Sequence, residues 1–173
     1  MNVAETKLRA QVFSQTAVLP AAPPAVRLWS GLNRAHAAIA RQLGAELQSR
    51  HGLSLNDYEA LELLARADGR RLKRIDLARR LGLTPSGVTR LLEGLEDAGL
   101  VARASCPEDL RVTYAQLTDA GAERLEAASC GHIGSIRAVL EEDLSDEEID
   151  ALADLLGRLP GGAGGDEAPT RFG

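Results

Sequence analysis

Apolar residues recur every three or four positions along most of this chain, which is the spacing of an amphipathic helix. A long stripe of Leu, Ala and Ile begins near Val26 and predicts a first helix that ends at Gly52. Ser54 is placed to cap a second helix. A short third helix is predicted to end before Gly82, with an apolar side made of Ile75, Leu77, Ala78 and Leu81. The pattern is typical of a mainly helical protein.

The fourth predicted helix is the most informative segment. Thr84 can cap its first turn, Pro85 suits the first helical position, and Gly99 is placed to end it. Its apolar face is predicted to consist of Val88, Leu91, Leu92 and Leu95. Its other face carries, in the first two turns, Ser86, Gly87, Thr89 and Arg90. An exposed, polar N-terminal end of this kind is suited to the base edges of the DNA major groove.

The segments Leu100–Ser105 and Val112–Leu117 are the only strands that the pattern predicts. They flank a polar loop, Cys106–Arg111, and would form one hairpin directly behind the fourth helix. Thr118 is predicted to cap a fifth helix, and the capping box Ser145–Glu148 is predicted to start a sixth. The buried side of the fifth helix is expected to consist of Leu125, Ile133, Ile136 and Leu140.

These elements predict a mainly α fold with one small β-hairpin wing, a winged helix-turn-helix. We expect one domain over residues 26–159, with a DNA-binding lobe at about 54–118. The outer helices, at about 26–51 and 119–159, carry more apolar surface than one small domain can bury, so they are predicted to form a dimer interface. Outside this domain we expect a flexible arm (residues 1–25) and a disordered tail (residues 160–173).

Composition supports a helical core and argues against a membrane partner. The chain is 45% hydrophobic but only 3% aromatic, so Leu, Ala, Val and Ile must fill the core. No apolar run approaches the roughly 20 residues that span a bilayer, and the N-terminus does not resemble a signal peptide. Two cysteines are too few for a disulfide framework. We therefore expect a cytoplasmic protein.

The net charge of -5 is unevenly distributed. Residues 66–111 hold ten Lys and Arg against seven Asp and Glu, so this segment is basic in an acidic chain. A basic segment, rather than the total charge, decides whether phosphates are attracted. A cluster of cations precedes the third helix: Arg70, Arg71, Lys73 and Arg74. Either phosphate contact or simple solvation would account for it.

Five motifs in order resemble the MarR (multiple antibiotic resistance regulator) family of bacterial transcription factors. The motifs are Leu77–Leu81, Ser86–Leu92, Leu95–Val101, Asp109–Arg111 and Leu117–Gly121. Leu144–Glu148 also matches the start of the last helix in that family. The resemblance covers roughly residues 26–159, which is nearly all of the chain apart from the two tails.

The resemblance implies a homodimeric transcriptional repressor that binds double-stranded DNA. In this family the recognition helix enters the major groove and the wing enters the minor groove, and many members release DNA when a phenolic or aromatic acid binds. By motif, Asp109 would orient Arg111 at the wing tip, and Leu110 stands where a second arginine is common. The full set of expected DNA contacts is Thr84, Ser86, Gly87, Thr89, Arg90, Arg103, Asp109 and Arg111, with the cluster Arg70, Arg71, Lys73 and Arg74.

An effector site is predicted less sharply. Trp29, Asn33 and His36 share one face of the first helix, which fits either a ligand pocket or packing in an interface. Tyr58 and His132 are further candidates for ligand contact.

Other functions find little support in the sequence. Cys106 in the wing would allow an oxidation-responsive regulator, although neighbouring acidic residues disfavour a reactive thiolate. A winged helix can also serve as a protein-interaction module without DNA. Three histidines and two cysteines do not make a zinc pattern, and no catalytic arrangement stands out. We expect no metal, no cofactor and no enzyme activity.

Overall fold

The computed structural model describes residues 22–105 and 113–159. The chain divides into two compact units, residues 1–38 and 39–173. The elements, in chain order, are α1 (Pro24–His51), α2 (Leu55–Arg66), a 3-10 turn (Asp68–Arg70), β1 (Arg71–Lys73), α3 (Arg74–Arg80), α4 (Pro85–Asp97), β2 (Val101–Ser105), β3 (Thr113–Leu117), α5 (Asp119–Glu141) and α6 (Asp146–Gly157). The boundary between the units falls within α1, and in the first unit the described residues are helical from Pro24 onwards.

The predicted helix starts are confirmed by their capping bonds. The Ser54 hydroxyl accepts from the Asp57 backbone N–H, and the Asp57 carboxylate accepts in return from the Ser54 backbone, so the two residues form a capping box. Ser145 and Glu148 form the same arrangement at the start of α6. That last helix ends at Gly157.

The sheet has three strands rather than the two that were predicted. Its order is β1-β3-β2, and both pairings are antiparallel. In the central strand β3, Ala115 pairs with Leu72 of β1 on one side and with Arg103 of β2 on the other. The expectation that the hairpin supplies the only strands was wrong, because β1 is three residues long and two of them are cations. Such a segment shows no alternation from which a strand can be predicted, and it is extended only because β3 offers it hydrogen bonds.

The core of the second unit lies where α2, α3 and α4 meet the sheet. Its largest fully buried side chains are Leu53, Leu61, Leu64, Leu77 and Leu92. In α3, the predicted burial of Leu77 and Ala78 is confirmed, but that of Ile75 was wrong, since its side chain is 67% exposed. Burial of the leucines stabilises this unit by about 1.5–3 kcal/mol for each fully buried side chain.

A close joint connects α5 to the turn that follows α4. The Thr118 hydroxyl lies 2.8 Å from the Gly99 carbonyl oxygen and 3.0 Å from that of Leu100, and it accepts from the Gly121 backbone N–H at 3.0 Å. The Thr118 N–H also donates to the Leu100 carbonyl oxygen at 3.1 Å. A Cβ on Gly121 would collide with that same oxygen and would lie 2.7 Å from Cδ1 of Leu117. Only glycine fits this position.

The last helix buries none of its residues within the chain. Leu152 and Leu155 of this helix, and Leu159 just after it, are between 41% and 56% exposed. On α5, Ile133 is 49% exposed, which departs from its predicted place on a buried side. In the part of the chain that the structure describes, no helix is both long enough and apolar enough to cross a membrane.

Candidate nucleic-acid interface

The N-terminal end of α4 is stabilised by a side-chain cap. The Thr84 hydroxyl accepts from the Gly87 backbone N–H at 3.1 Å, and Pro85 occupies the first helical position as predicted. Val88 and Leu92 are buried on the opposite side of the helix. This burial fixes the rotation of α4 about its axis, so the other side of its first two turns, with Ser86 and Arg90, faces solvent.

Hydrogen bonds within α4 decide which polar groups remain available to a ligand. The Thr89 hydroxyl donates to the Pro85 carbonyl oxygen at 2.8 Å, so its proton is already used within the helix. The Ser86 and Thr84 hydroxyls lie 3.2 Å apart, and either can be the donor. Arg90 is exposed and has no hydrogen bond or ion pair to any residue that the structure describes. Its guanidinium is therefore the strongest uncommitted donor on this face.

The turn between α3 and α4 has the geometry of a helix-turn-helix. Gly82 has a φ of +63°, a left-handed conformation that favours glycine. The Leu83 N–H then donates to the Ala78 carbonyl oxygen at 2.9 Å, which closes the end of α3. The predicted pair of helices and its turn are thus present at the predicted positions.

The basic cluster before α3 is spread over a turn, a strand and a helix end. Arg70 has a φ of +52° and its Nη1 lies 3.2 Å from Oδ1 of Asp119. Its charge is therefore already paired at the start of α5. Arg74, half-buried, has a buried Nη2 with no hydrogen-bond partner among the described residues.

The two basic residues of β1 are exposed. The Arg71 guanidinium carbon lies 5.3 Å from the centre of the Tyr114 ring, within the range of a cation–π interaction. Lys73 is the N-cap residue of α3 and makes no side-chain capping bond. Neither the strand nor the stacked tyrosine was predicted, since both depend on the pairing of β1 with β3.

The wing is described only at its base. Arg103 on β2 is exposed, and its Nη2 lies 3.8 Å from Oε2 of Glu96 near the end of α4. The predicted wing-tip residues Asp109 and Arg111, together with Leu110 and Cys106, lie outside the described residues. Their assigned roles stay predictions.

The predicted ligand residues fall into two sets. Trp29, Asn33 and His36 are exposed in the first unit. Tyr58 and His132 belong to the second unit, where they are buried against each other with ring centroids 4.4 Å apart. The structure thus brings the second set together.

Tyr58 and His132 are both buried, and Tyr58 begins a short chain of hydrogen bonds. The Tyr58 hydroxyl donates to Oγ of Ser129 at 3.2 Å, and that hydroxyl donates in turn to the Leu125 carbonyl oxygen at 2.7 Å. Burial lowers the pKa of His132, although the carboxylates of Glu62 and Glu46 act in the opposite direction. Burial also raises the pKa of Tyr58. Both side chains are therefore neutral at pH 7.

Free space beside these rings is small. A cavity of about 10 Å³ touches His132 and is lined in addition by Glu46, Leu47, Arg50, His51, Gly131 and Ser135. A volume of that size holds about one water molecule. An open groove of about 410 Å³ runs next to it, between α1 and α5, over Arg50, Gly134 and Ser135. Among the described residues, no group of three or more His, Cys, Asp and Glu could hold a metal ion.

Several proteins of known class are similar to this chain. A model of the MarR family matches residues 51–111. The HTH-type transcriptional repressor YetL of Bacillus subtilis is 41% identical over 108 residues, which span 62% of this chain and 64% of YetL. The HTH-type regulator YdgJ of the same organism is 33% identical over 70% of this chain and 72% of its own length. The matched segment thus falls short of two thirds of YetL.

Solved structures agree with these sequence relatives. Sco3205, a MarR family regulator from Streptomyces coelicolor determined in complex with DNA, is 30% identical, with a TM-score of 0.71 over 79% of this chain and 86% of its own. A mutant of MarR from E. coli, complexed with operator DNA, is 25% identical over 79% and 94% of the two chains, with a TM-score of 0.66. The resemblance inferred from the five motifs is confirmed: this chain belongs to the MarR family of winged-helix transcriptional regulators, which are not enzymes.

Proposed function

We propose that this protein is a dimeric repressor that binds a pseudo-palindromic operator and is released by a small phenolic or aromatic acid. The observation that carries the proposal is the N-terminal end of α4, where Arg90 and two hydroxyl groups face solvent on a helix that its core residues hold in place. The similar protein Sco3205 was determined in complex with DNA, which supports the same partner here.

Direct reading of bases would rest on three side chains. Arg90 can donate two hydrogen bonds to O6 and N7 of a guanine, which is the commonest specific contact in the major groove. Ser86 can donate to or accept from a base edge, because its bond to Thr84 leaves the direction open. Thr89 presents a methyl group that can contact a thymine methyl. Each good base contact is worth about 1–3 kcal/mol of discrimination.

Two copies of the chain would be needed to read a whole operator. The exposed apolar stripe of α6, with Leu152 and Leu155, and Leu159 just after the helix offer a surface for a second copy. A two-fold dimer places its recognition helices about one helical turn of DNA apart, so we expect half-sites about 10 base pairs apart.

Release by an effector requires that ligand binding favour a conformation that fits DNA poorly. A coupling free energy of about 1–3 kcal/mol lowers DNA affinity about 5- to 150-fold. In the first unit, Trp29, Asn33 and His36 offer an aromatic surface and polar groups to an aromatic acid. Contact with Tyr58 or His132 would require these buried rings to separate, since the cavity beside them holds about one water molecule.

Fluorescence anisotropy with DNA from upstream of the protein's own gene tests the proposal. We expect the wild-type protein to bind one sequence far more tightly than scrambled DNA, with two protomers per site. Arg90→Ala should lose about 1–3 kcal/mol at the preferred sequence and relax the preference at one base pair. The control Arg137→Ala, which removes an exposed cation paired with Glu141 on α5, should bind normally. Monomeric binding, or equal affinity for every sequence, would refute the proposal.

A further inference from the structure

The outer face of the three-stranded sheet carries an uncovered basic strip. Because side chains alternate along strands, register partners share a face. The residues of this face are Arg71, Lys73, Ala102, Ala104, Tyr114 and Gln116. Four of them are exposed and two are half-buried, and none of the six is acidic. The opposite face holds Ala115 and Leu117, which are buried in the core.

Arg71 leans along this face in a defined direction. Its Cα partner on β3 is Gln116, but its guanidinium lies over the ring of Tyr114, 5.3 Å from the centroid. Tyr114 is two positions nearer to the start of β3, a displacement of roughly 7 Å at the usual rise per strand residue. The start of β3 is the end that follows the wing loop, residues 106–112. The positive charge of Arg71 is thus displaced toward the start of β3.

Stacking fixes the position of the guanidinium without occupying its donors. A cation–π contact at an exposed site is worth about 0.5–1 kcal/mol and involves the flat face of the guanidinium, so the N–H groups on its edge stay available. Arg71 makes no hydrogen bond or ion pair with the described residues. A pre-positioned cation loses less side-chain entropy when it binds an anion.

We infer that Arg71 and Lys73 bind the DNA phosphates that flank the minor groove at the wing, and that Tyr114 is a positioning residue for Arg71. The inference rests on the proposed function and assigns a second, sequence-independent contact surface to the same lobe. Lys73 immediately precedes α3, the first helix of the helix-turn-helix, so the strip is continuous with the DNA-reading elements. A regular array of phosphate charges complements a strip without carboxylates.

Charge removal gives the first test. Arg71→Ala should weaken binding several-fold on specific and scrambled DNA alike, and the slope of log K against log salt should become less steep by about 1. Arg137→Ala changes the net charge equally but lies on α5, so it should leave the slope unchanged. If the wild-type protein binds DNA and Arg71→Ala keeps the wild-type slope, this inference is overturned while the proposed function stands. If the wild-type protein binds no DNA, both fail.

Positioning by Tyr114 gives the second test. Tyr114→Phe keeps the ring and should bind DNA like the wild type, whereas Tyr114→Leu should lose part of the affinity that Arg71→Ala loses. In the double variant the two losses should not add, since both remove one contact. Full additivity would show that the stack does not position Arg71, and would overturn the role given to Tyr114.

A third variant separates binding from folding. Gln116→Glu places a carboxylate directly opposite Arg71 on an exposed position, where a cross-strand ion pair stabilises the sheet slightly. The thermal midpoint should therefore stay the same or rise, while DNA affinity falls several-fold because Arg71 is neutralised. Unchanged affinity in this well-folded variant would contradict a phosphate-binding strip.

Discussion

Because Gly121 has no Cβ, the start of α5 can pack directly against the turn that follows α4. Gly121→Ala would place its Cβ against the Leu100 carbonyl oxygen, and backbone atoms cannot yield as a flexible side chain can. We expect a loss of about 3 kcal/mol in the free energy of unfolding, at the upper end of overpacking costs. Urea unfolding measures it.

A matched control lies on the same helix. Gly134 has no atom within 4 Å of an added Cβ, so Gly134→Ala should stabilise the protein by up to about 1 kcal/mol through helix propensity. Equal effects of the two substitutions would show that the close contact at Gly121 is absent in solution.

His132 predicts how stability depends on pH. Burial lowers its pKa in the folded state below the ordinary value of 6.5, so below that pH the unfolded chain binds more protons than the native one. Stability should therefore fall as the pH drops through 6.5, and continue to fall until the native histidine itself is protonated. Comparing urea unfolding at pH 7.5 and 5.5 tests this.

The substitution His132→Asn supplies the comparison for the pH prediction. The variant should be less stable at pH 7.5 because it loses the ring contact with Tyr58, but its stability should change less between the two pH values. An equally steep pH dependence in the variant would assign the effect to other groups.

Individual residues were predictable where their bonds are local. The caps at Thr84, Thr118 and Ser145 follow from a side chain and a backbone N–H three positions later. Arg70 was not predictable in the same way, since its partner Asp119 lies 49 positions away. Side-chain contacts could therefore be predicted between residues close together in sequence, but not between residues far apart.

At the scale of elements, the start of α4 serves both folding and recognition. Thr84→Ala removes the acceptor for the Gly87 N–H and the hydroxyl next to Ser86, so we expect a loss of about 1 kcal/mol in stability and an altered DNA preference. Thermal unfolding and anisotropy on the same samples measure both effects.

The cap of the last helix separates these two effects. Ser145→Ala removes an equivalent cap from α6, so its stability should fall by a similar amount while the DNA preference stays unchanged. A Thr84→Ala variant that also kept its DNA preference would remove this end of α4 from the reading surface.

Elements were predicted well when their own periodicity stabilises them. The six helices of the described residues follow stripes of apolar residues, and α4 shows the clearest one, with Val88, Leu92 and Leu95 buried. The strand β1 has no such pattern, and it forms only because β3 pairs with it. The contact between Arg71 and Tyr114 could not be predicted for the same reason, although Arg71 and Lys73 were themselves predicted to contact DNA.

At the scale of the whole molecule, the uncovered stripe of α6 bears on assembly. Leu155→Lys introduces a charge into this stripe and should convert a dimer to a folded monomer, because burying an unpaired ammonium is costly. Analytical ultracentrifugation gives the mass, and circular dichroism confirms the helix content. Operator affinity should fall with the dimer.

Asp150→Lys is the control for assembly. It introduces the same side chain at an exposed position away from the stripe of α6, so the dimer should persist. A Leu155→Lys variant that remains dimeric would exclude the stripe from the interface.

The joint between α5 and the turn after α4 also bears on how a movement of one helix would reach the other. Backbone meets backbone at Gly121 and Leu100, and Thr118 ties the same carbonyl oxygen by two contacts, so no compressible layer of side chains separates the two elements. We therefore expect any tilt of α5 to displace the Gly99–Leu100 turn at the end of α4 as well. A change in the position of α5 would in this way reach the helix that we propose reads DNA.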